Sequence, residues 1–121
     1  MNKIYLLSPW CETKYRLTPN SLNYIRFYLL DHGYDSEVID CAHYDRGLND
    51  VISILKEDKA PIVGITSYTR ERFHAYSLIK RIKNEFIDSL VVVGGRHFGS
   101  LADETLVELP QVNIVVSGEG E

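Results

Sequence analysis

Leu90-Val91-Val92-Val93-Gly94-Gly95-Arg96-His97-Phe98-Gly99 decides the fold of this chain. A continuous apolar run ending in paired glycines reads as a strand buried on both faces, running into a loop where the backbone comes close to something. The same pattern recurs downstream, where Val112-Asn113-Ile114-Val115-Val116 leads into Ser117-Gly118-Glu119-Gly120-Glu121. Two strands with glycine-rich ends facing the same way imply a parallel sheet with its working edge at the strands' carboxyl ends.

Working outward, the remaining segments supply three more strands and the helices between them. Lys3-Ile4-Tyr5-Leu6-Leu7 is a short buried strand that stops at Ser8-Pro9, because proline cannot donate to a ladder. The stretch from Trp10 to Leu17 is long for a strand-to-helix turn, which marks it as a ligand-contacting loop. Thr18-Pro19 opens a helix with Leu22, Ile25 and Leu29 on its apolar face, and Gly33 stops it. Glu37-Val38-Ile39-Asp40 forms the second strand, beginning near Tyr34. A helix capped by Asn49 or Asp50 comes next, with Val51, Ile54 and Leu55 inward, and closes before Pro61. Ile62-Val63-Gly64-Ile65-Thr66 is the third strand, entering the polar turn Ser67-Tyr68-Thr69. Phe73, Tyr76, Ile79, Ile82 and Phe86 mark a long third helix. After the glycine-ended fourth strand come a loop and a short helix from Ala102 to Leu109, with Ser100 as its cap, and then the fifth strand.

Strands alternating with helices, nearly all short and apolar, predict an α/β fold: one doubly wound, five-stranded parallel sheet in the order 2-1-3-4-5. In such sheets ligands sit outside the carboxyl ends of the strands, near the reversal of strand order. Candidate ligand contacts are therefore Pro9, Trp10 and Cys11 after the first strand and Thr66, Ser67, Tyr68 and Thr69 after the third. Gly94, Gly95, Arg96 and His97 come after the fourth strand, and Ser117, Gly118, Glu119 and Gly120 after the fifth. The helix that should cover the sheet beside the first helix is missing. Leaving that face wet is unfavourable by roughly 25 cal/mol per Å². The expectation is an amino-terminal piece of a longer protein, 1–121 being one domain, or a fragment that pairs with a second copy.

The 121 residues, 45% hydrophobic and 25% charged, suffice for one ordinary core. A net charge of −4 argues against nucleic acid, and Arg70, Arg72, Lys80, Arg81 and Lys83 fall at spacings that suit the solvated side of a helix. No apolar run approaches the ~20 residues of a membrane span, and the start is not a signal peptide, so the chain is read as cytoplasmic with no membrane partner. Two cysteines, Cys11 and Cys41, are too few for a disulfide scaffold and are read as reduced thiols. Asp40, Cys41, His43 and Asp45 contain ligand types but match no metal-site spacing, so no metal site and no catalytic residue is assigned.

Simple phosphate ligands are excluded by the residues at the strand ends. A phosphoacceptor domain needs acidic residues after strand one and an aspartate after strand three, where Ser8-Pro9-Trp10 and Thr66-Ser67 stand. No G-x-G-x-x-G comes after the first strand, and no P-loop lysine occurs.

Val63-Gly64-Ile65-Thr66-Ser67, Val93-Gly94-Gly95-Arg96-His97 and Val115-Val116-Ser117-Gly118-Glu119-Gly120-Glu121, in this order and at these separations, resemble the cobalamin-binding amino-terminal domain of radical S-adenosylmethionine enzymes. The resemblance covers essentially the whole chain. It implies a Rossmann-like, flavodoxin-like cobalamin module of a methyltransferase or oxidoreductase. The radical chemistry would be carried by a carboxyl-terminal barrel, with S-adenosylmethionine and a three-cysteine iron–sulfur cluster. Two cysteines cannot supply that motif, so the chain by itself is not expected to be catalytic. Relatives of the mutase type carry Asp-x-His-x-x-Gly after strand one, giving cobalt a histidine; the loop Ser8 to Leu17 has none, so cobalamin is expected without a histidine ligand. The other reading is a cobalamin-free scaffold or interaction domain of the same fold.

Physically, a corrin is broad and flat and its nucleotide tail needs a slot, which side chains on Gly94, Gly95 or Gly118 would obstruct. On this reasoning Gly95→Val should abolish cobalamin retention and leave the fold intact. Alternatively, the pair merely turns the strand, His97 is a loop histidine bonded to backbone, and Ser67 and Thr69 cap the third helix.

Overall fold

The computed structural model describes residues 3–10, 20–41, 47–58, 61–67 and 72–117. Within them run β1 (Ile4–Ser8), α1 (Asn20–Asp31), β2 (Ser36–Asp40), α2 (Leu48–Leu55), β3 (Ile62–Thr66), α3 (Arg72–Glu85), β4 (Leu90–Gly94), α4 (Gly95–Ser100), α5 (Ala102–Glu108) and β5 (Ile114–Val115). The sheet is parallel throughout, in the order β2-β1-β3-β4-β5.

Register divides the side chains between two faces, because successive residues of a strand point to opposite sides. Tyr5, Val63 and Val91 align across one face, as do Leu7, Ile39, Ile65 and Val93. All are buried, in one core with Val51, Ile52 and Leu55 of α2, Ala75, Leu78, Ile79 and Ile82 of α3, and Phe98 of α4. Tyr5 is polar within this core, and its hydroxyl donates to Asp58 Oδ2 at 2.9 Å. Burial first, then that bond, raises the phenol's pKa.

The other face is covered unevenly. α1 lies over β2 and β1: Leu22 and Leu6 are buried, Arg26 Nε donates to Ser36 O at 3.2 Å, and Ser36 Oγ donates to Arg26 O at 3.4 Å. Ile62, Gly64 and Val92 are only half-buried, while Leu90 and Ile114 are 37% and 47% exposed. Among the described residues no helix comes after β5 to cover this half.

Local chemistry accounts for the element ends. Gly33 has φ +84, and Tyr34 N–H returns to Leu29 O at 2.9 Å, a left-handed cap that ends α1 and delays β2 to Ser36 instead of Tyr34. Neither Asn49 nor Asp50 is the cap of α2. Gly47 holds that position, and Asp50, three residues on, accepts Gly47 N–H at 3.3 Å. The segment after Gly94, expected to be a loop, is the helix α4; α5 is capped at Leu101 and not Ser100. The fifth strand is shorter than Val112–Val116 because Asn113 intervenes. Its main-chain N–H donates to Val91 O at 2.9 Å, while its Oδ1 accepts Val91 N–H at 2.9 Å, so a side chain replaces a rung of the ladder. The Thr18-Pro19 helix start lies outside the described residues.

Candidate functional site

The carboxyl ends of β3, β4 and β5 converge through backbone contacts. Thr66 pairs with Gly94 in register, Val116 N–H donates to Val93 O at 2.8 Å, and His97 N–H donates to Ser67 O at 3.0 Å. Thr66, Ser67, Gly94, Gly95 and His97 are thus brought together, with Ser117 next at the exposed end of β5.

The two glycines differ. Gly95 has φ +88, where L side chains are strained, and a Cβ there would lie 2.2 Å from Thr66 Oγ1 and 3.2 Å from Ser67 N. Its bareness is demanded by the turn into α4. The expectation that Gly95→Val leaves the fold intact is therefore corrected: that variant strains the backbone whatever the ligand. Gly94 is extended, with φ −161, and a Cβ there would find only ordinary contact, 3.6 Å from Val116. Nothing in the chain's own packing requires glycine at 94, although glycine weakens a strand. Gly64, two rungs back on the neighbouring strand, shares Gly94's face, and a Cβ there would approach Leu6 Cδ2 at 3.1 Å. Gly64 and Gly94 leave a strip without side chains, termed the trough below, on the less covered sheet face. Ile62 and Val92 continue this face towards the amino ends of the strands.

His97 is turned out of this trough. It is 4% exposed and sits in α4, with its Nε2 2.6 Å from the Tyr76 hydroxyl of α3 and its ring 5.2 Å from Phe98. Burial first, then Arg72, lowers its pKa, while Glu108 opposes them; burial and then Glu108 raise that of Tyr76, against Arg72. The pair is a neutral bridge that ties α4 to α3, so the histidine's side-chain partner is a tyrosine and its backbone bond is made by its own N–H. Sequence periodicity assigned Tyr76 to the apolar face of α3 and missed this role; the Tyr76 and His97 polar atoms had no spacing rule connecting them.

Pro9 and Trp10 are placed elsewhere. Trp10 meets His74 of α3 edge-on at 4.9 Å, beside Cys41 and on the side of the sheet covered by α2 and α3. Cys11, Tyr68, Thr69, Gly118, Glu119 and Gly120 lie outside the described residues, as does the side chain of Arg96. Of the histidines, His32 bonds Tyr28 O through Nδ1 at 2.8 Å at the end of α1, and His43 lies outside the described residues. Among the described residues no group of three or more His, Cys, Asp or Glu could hold a metal ion. No helix among them is long and apolar enough to cross a membrane. Gly64 was part of the sequence motif but not among the predicted contacts; a glycine inside an apolar strand was the available signal.

These features suit a cobalamin at the carboxyl edge. Two glycines on one sheet face offer the close approach a flat nucleotide tail needs, and half-buried aliphatic side chains continue the surface.

Known proteins share this fold or part of its sequence. An uncharacterized methyltransferase of Pyrococcus horikoshii is 36% identical over 88 residues, which are 73% of this chain and 19% of that protein. TsrM from Kitasatospora setae, a radical S-adenosylmethionine methyltransferase solved with cobalamin and an iron–sulfur cluster bound, superposes with a TM-score of 0.75 at 18% identity, over 91% of this chain and 23% of TsrM. OxsB, a cobalamin-dependent S-adenosylmethionine radical enzyme solved with aqua-cobalamin and S-adenosylmethionine, gives 0.79 at 19% identity, over 100% of this chain and 17% of OxsB. The chain therefore spans about a fifth of the length of these proteins. The B12 binding domain family matches residues 11–121, and the chain belongs to that family.

Proposed function

We propose that this chain is the cobalamin-binding domain of a larger radical S-adenosylmethionine enzyme, holding the cofactor at the carboxyl ends of β3, β4 and β5. The single observation behind the reading is Gly94. Its backbone tolerates any residue and its neighbours leave room for a side chain, so its bareness is best explained by a ligand. In this reading Gly94 and Gly64 receive the nucleotide tail, Thr66 borders it, and the Gly95 turn holds α4 clear. When bound, cobalamin would supply a cobalt centre able to carry a methyl group. The chain's own residues bind and orient it and exclude water from the tail; among the described residues none is placed to donate nitrogen to cobalt. His97 is held by Tyr76, His74 meets Trp10 on the covered side of the sheet, and His32 lies at the end of α1.

The iron–sulfur cluster, S-adenosylmethionine and substrate would belong to a further domain, as the much greater length of the relatives suggests, since the match covers 19% of one and 17% of another. The test is retention of corrin absorbance after the purified chain is soaked with hydroxocobalamin and desalted. Stoichiometric retention that Gly94→Ala weakens is the expected result; no retention by the parent chain leaves the scaffold reading standing. A C-x-x-x-C-x-x-C run downstream of Glu121 in the gene would establish the radical domain, and its absence would remove it.

A further inference from the structure

A cavity of about 250 Å³ lies on the opposite side of the sheet from Gly64 and Gly94. It is lined by Trp10 after β1, Cys41 after β2, Leu48 and Val51 of α2, and His74, Ser77 and Leu78 of α3. Val51 and Leu78 belong to the covered core, so the cavity opens inward from the strand exits instead of lying on the bare sheet face. Trp10 and His74 stand edge to face across one side, with ring centroids 4.9 Å apart and planes at 80°.

We propose that this cavity is a second binding site, for a compact, uncharged aromatic molecule of one ring or a fused pair. Size sets the upper limit. An apolar cavity of about 150 Å³ accepts benzene, and drug-sized ligands need about 300 Å³ or more, so this one takes a substituted single ring or an indole-sized molecule. Chemistry sets the class. The walls are aliphatic and aromatic, with a buried Cys41 thiol, and among the described lining residues no Asp, Glu, Lys or Arg offers an opposite charge to repay an ion's lost hydration. A ring, by contrast, gains an edge or face contact with Trp10 and His74 and takes the apolar walls of Leu48, Val51 and Leu78 out of water. Ser77 at the solvent side provides a hydroxyl for one polar substituent. This site does not depend on cobalamin, since it involves neither glycine of the trough.

Trp10 is the chain's only tryptophan, so its emission reports the cavity directly. The probe is 4-fluorobenzyl alcohol, added to the cobalamin-free chain, with tryptophan emission, fluorine NMR and methyl NMR recorded together. The expected result is one saturable transition, half-complete between about 0.1 and 1 mM for a ligand of about nine non-hydrogen atoms. The methyl resonances of Val51 and Leu78 shift with it, and Ser77→Phe or Leu48→Phe, which plug the mouth, weaken binding at least about tenfold. A linear, unsaturable response in the parent chain overturns the proposal. Shifts at Leu90 and Ile114 in place of Val51 and Leu78 also overturn it, because the probe would then sit on the bare sheet face; this readout stands even if both plugged variants fail to fold.

Discussion

Replacing the adjacent glycines Gly94 and Gly95 separately by alanine should have opposite consequences. At Gly95 the new methyl meets φ +88 and lies 2.2 Å from Thr66 Oγ1 and 3.2 Å from Ser67 N. The left-handed backbone alone is unfavourable by about 1–2 kcal/mol for a residue with a Cβ. Thr66 can turn its hydroxyl aside, but the Ser67 backbone cannot move without disturbing the bond from His97 N–H to Ser67 O. A total near 2 kcal/mol is expected. With an unfolding entropy of about 2.1 cal/mol/K per residue, a chain of this length loses about 4 °C in Tm per kcal/mol, so Gly95→Ala should melt about 8 °C lower. At Gly94 the backbone is extended and the nearest atoms of Val116 are 3.6 Å from the added methyl. Removing a flexible glycine from a strand should leave Tm unchanged or raise it by about 2–4 °C. Corrin retention should nevertheless fall at least about tenfold in Gly94→Ala, read by absorbance after desalting, with circular dichroism melts on the same samples. Unimpaired retention by a stable Gly94→Ala would refute the assignment of the trough, and an unchanged Tm in Gly95→Ala would refute the account of the turn.

Other named groups carry outcomes of their own. Tyr76→Phe removes the hydroxyl that bonds the buried His97 imidazole and should reduce stability by about 0.5–1.5 kcal/mol, measured by urea unfolding; no measurable change would contradict the bridge. His97 has a folded pKa below its ordinary 6.5, so the unfolded chain takes up its proton first as pH falls. The stability from keeping it neutral is present above about 6.5 and is lost progressively below that value, and His97→Gln should flatten this part of the Tm–pH curve. Bound cobalamin in the cobalt(II) state should show no nitrogen superhyperfine splitting in electron paramagnetic resonance. A splitting that disappears on substituting His43 or His97 would sink the histidine-free assignment. Gly33→Ala should destabilise by about 1 kcal/mol, since φ +84 is strained although nothing lies within 4 Å of the added methyl; an unchanged melt would count against the cap.

By itself the sequence determined the strand order of this protein, and it pointed to the carboxyl edge of the sheet as the candidate site. Short apolar strands separated by helices admit few arrangements, and Gly33, Pro61 and the run ending at Gly94-Gly95 mark ends by backbone chemistry that acts locally. The family was legible because its three motifs follow one another in a fixed order at the ends of β3, β4 and β5. Tertiary structure decided everything that depends on which side a residue faces and what it meets there. Gly94 and Gly95 look equivalent in sequence, yet one is set by φ +88 and the other is not, because the chain turns into α4 between them. Asn113 reads as a strand residue, but its side chain takes a ladder bond, which only the neighbouring Val91 reveals. His97 and Tyr76 are 21 residues apart and carry no pattern linking them; packing of α4 on α3 made them a pair. Trp10, one residue past Pro9, belongs by sequence to the cofactor edge and instead meets His74 across the covered face, because a side chain beyond a strand's end is directed by its tertiary neighbours and no longer by the pleat.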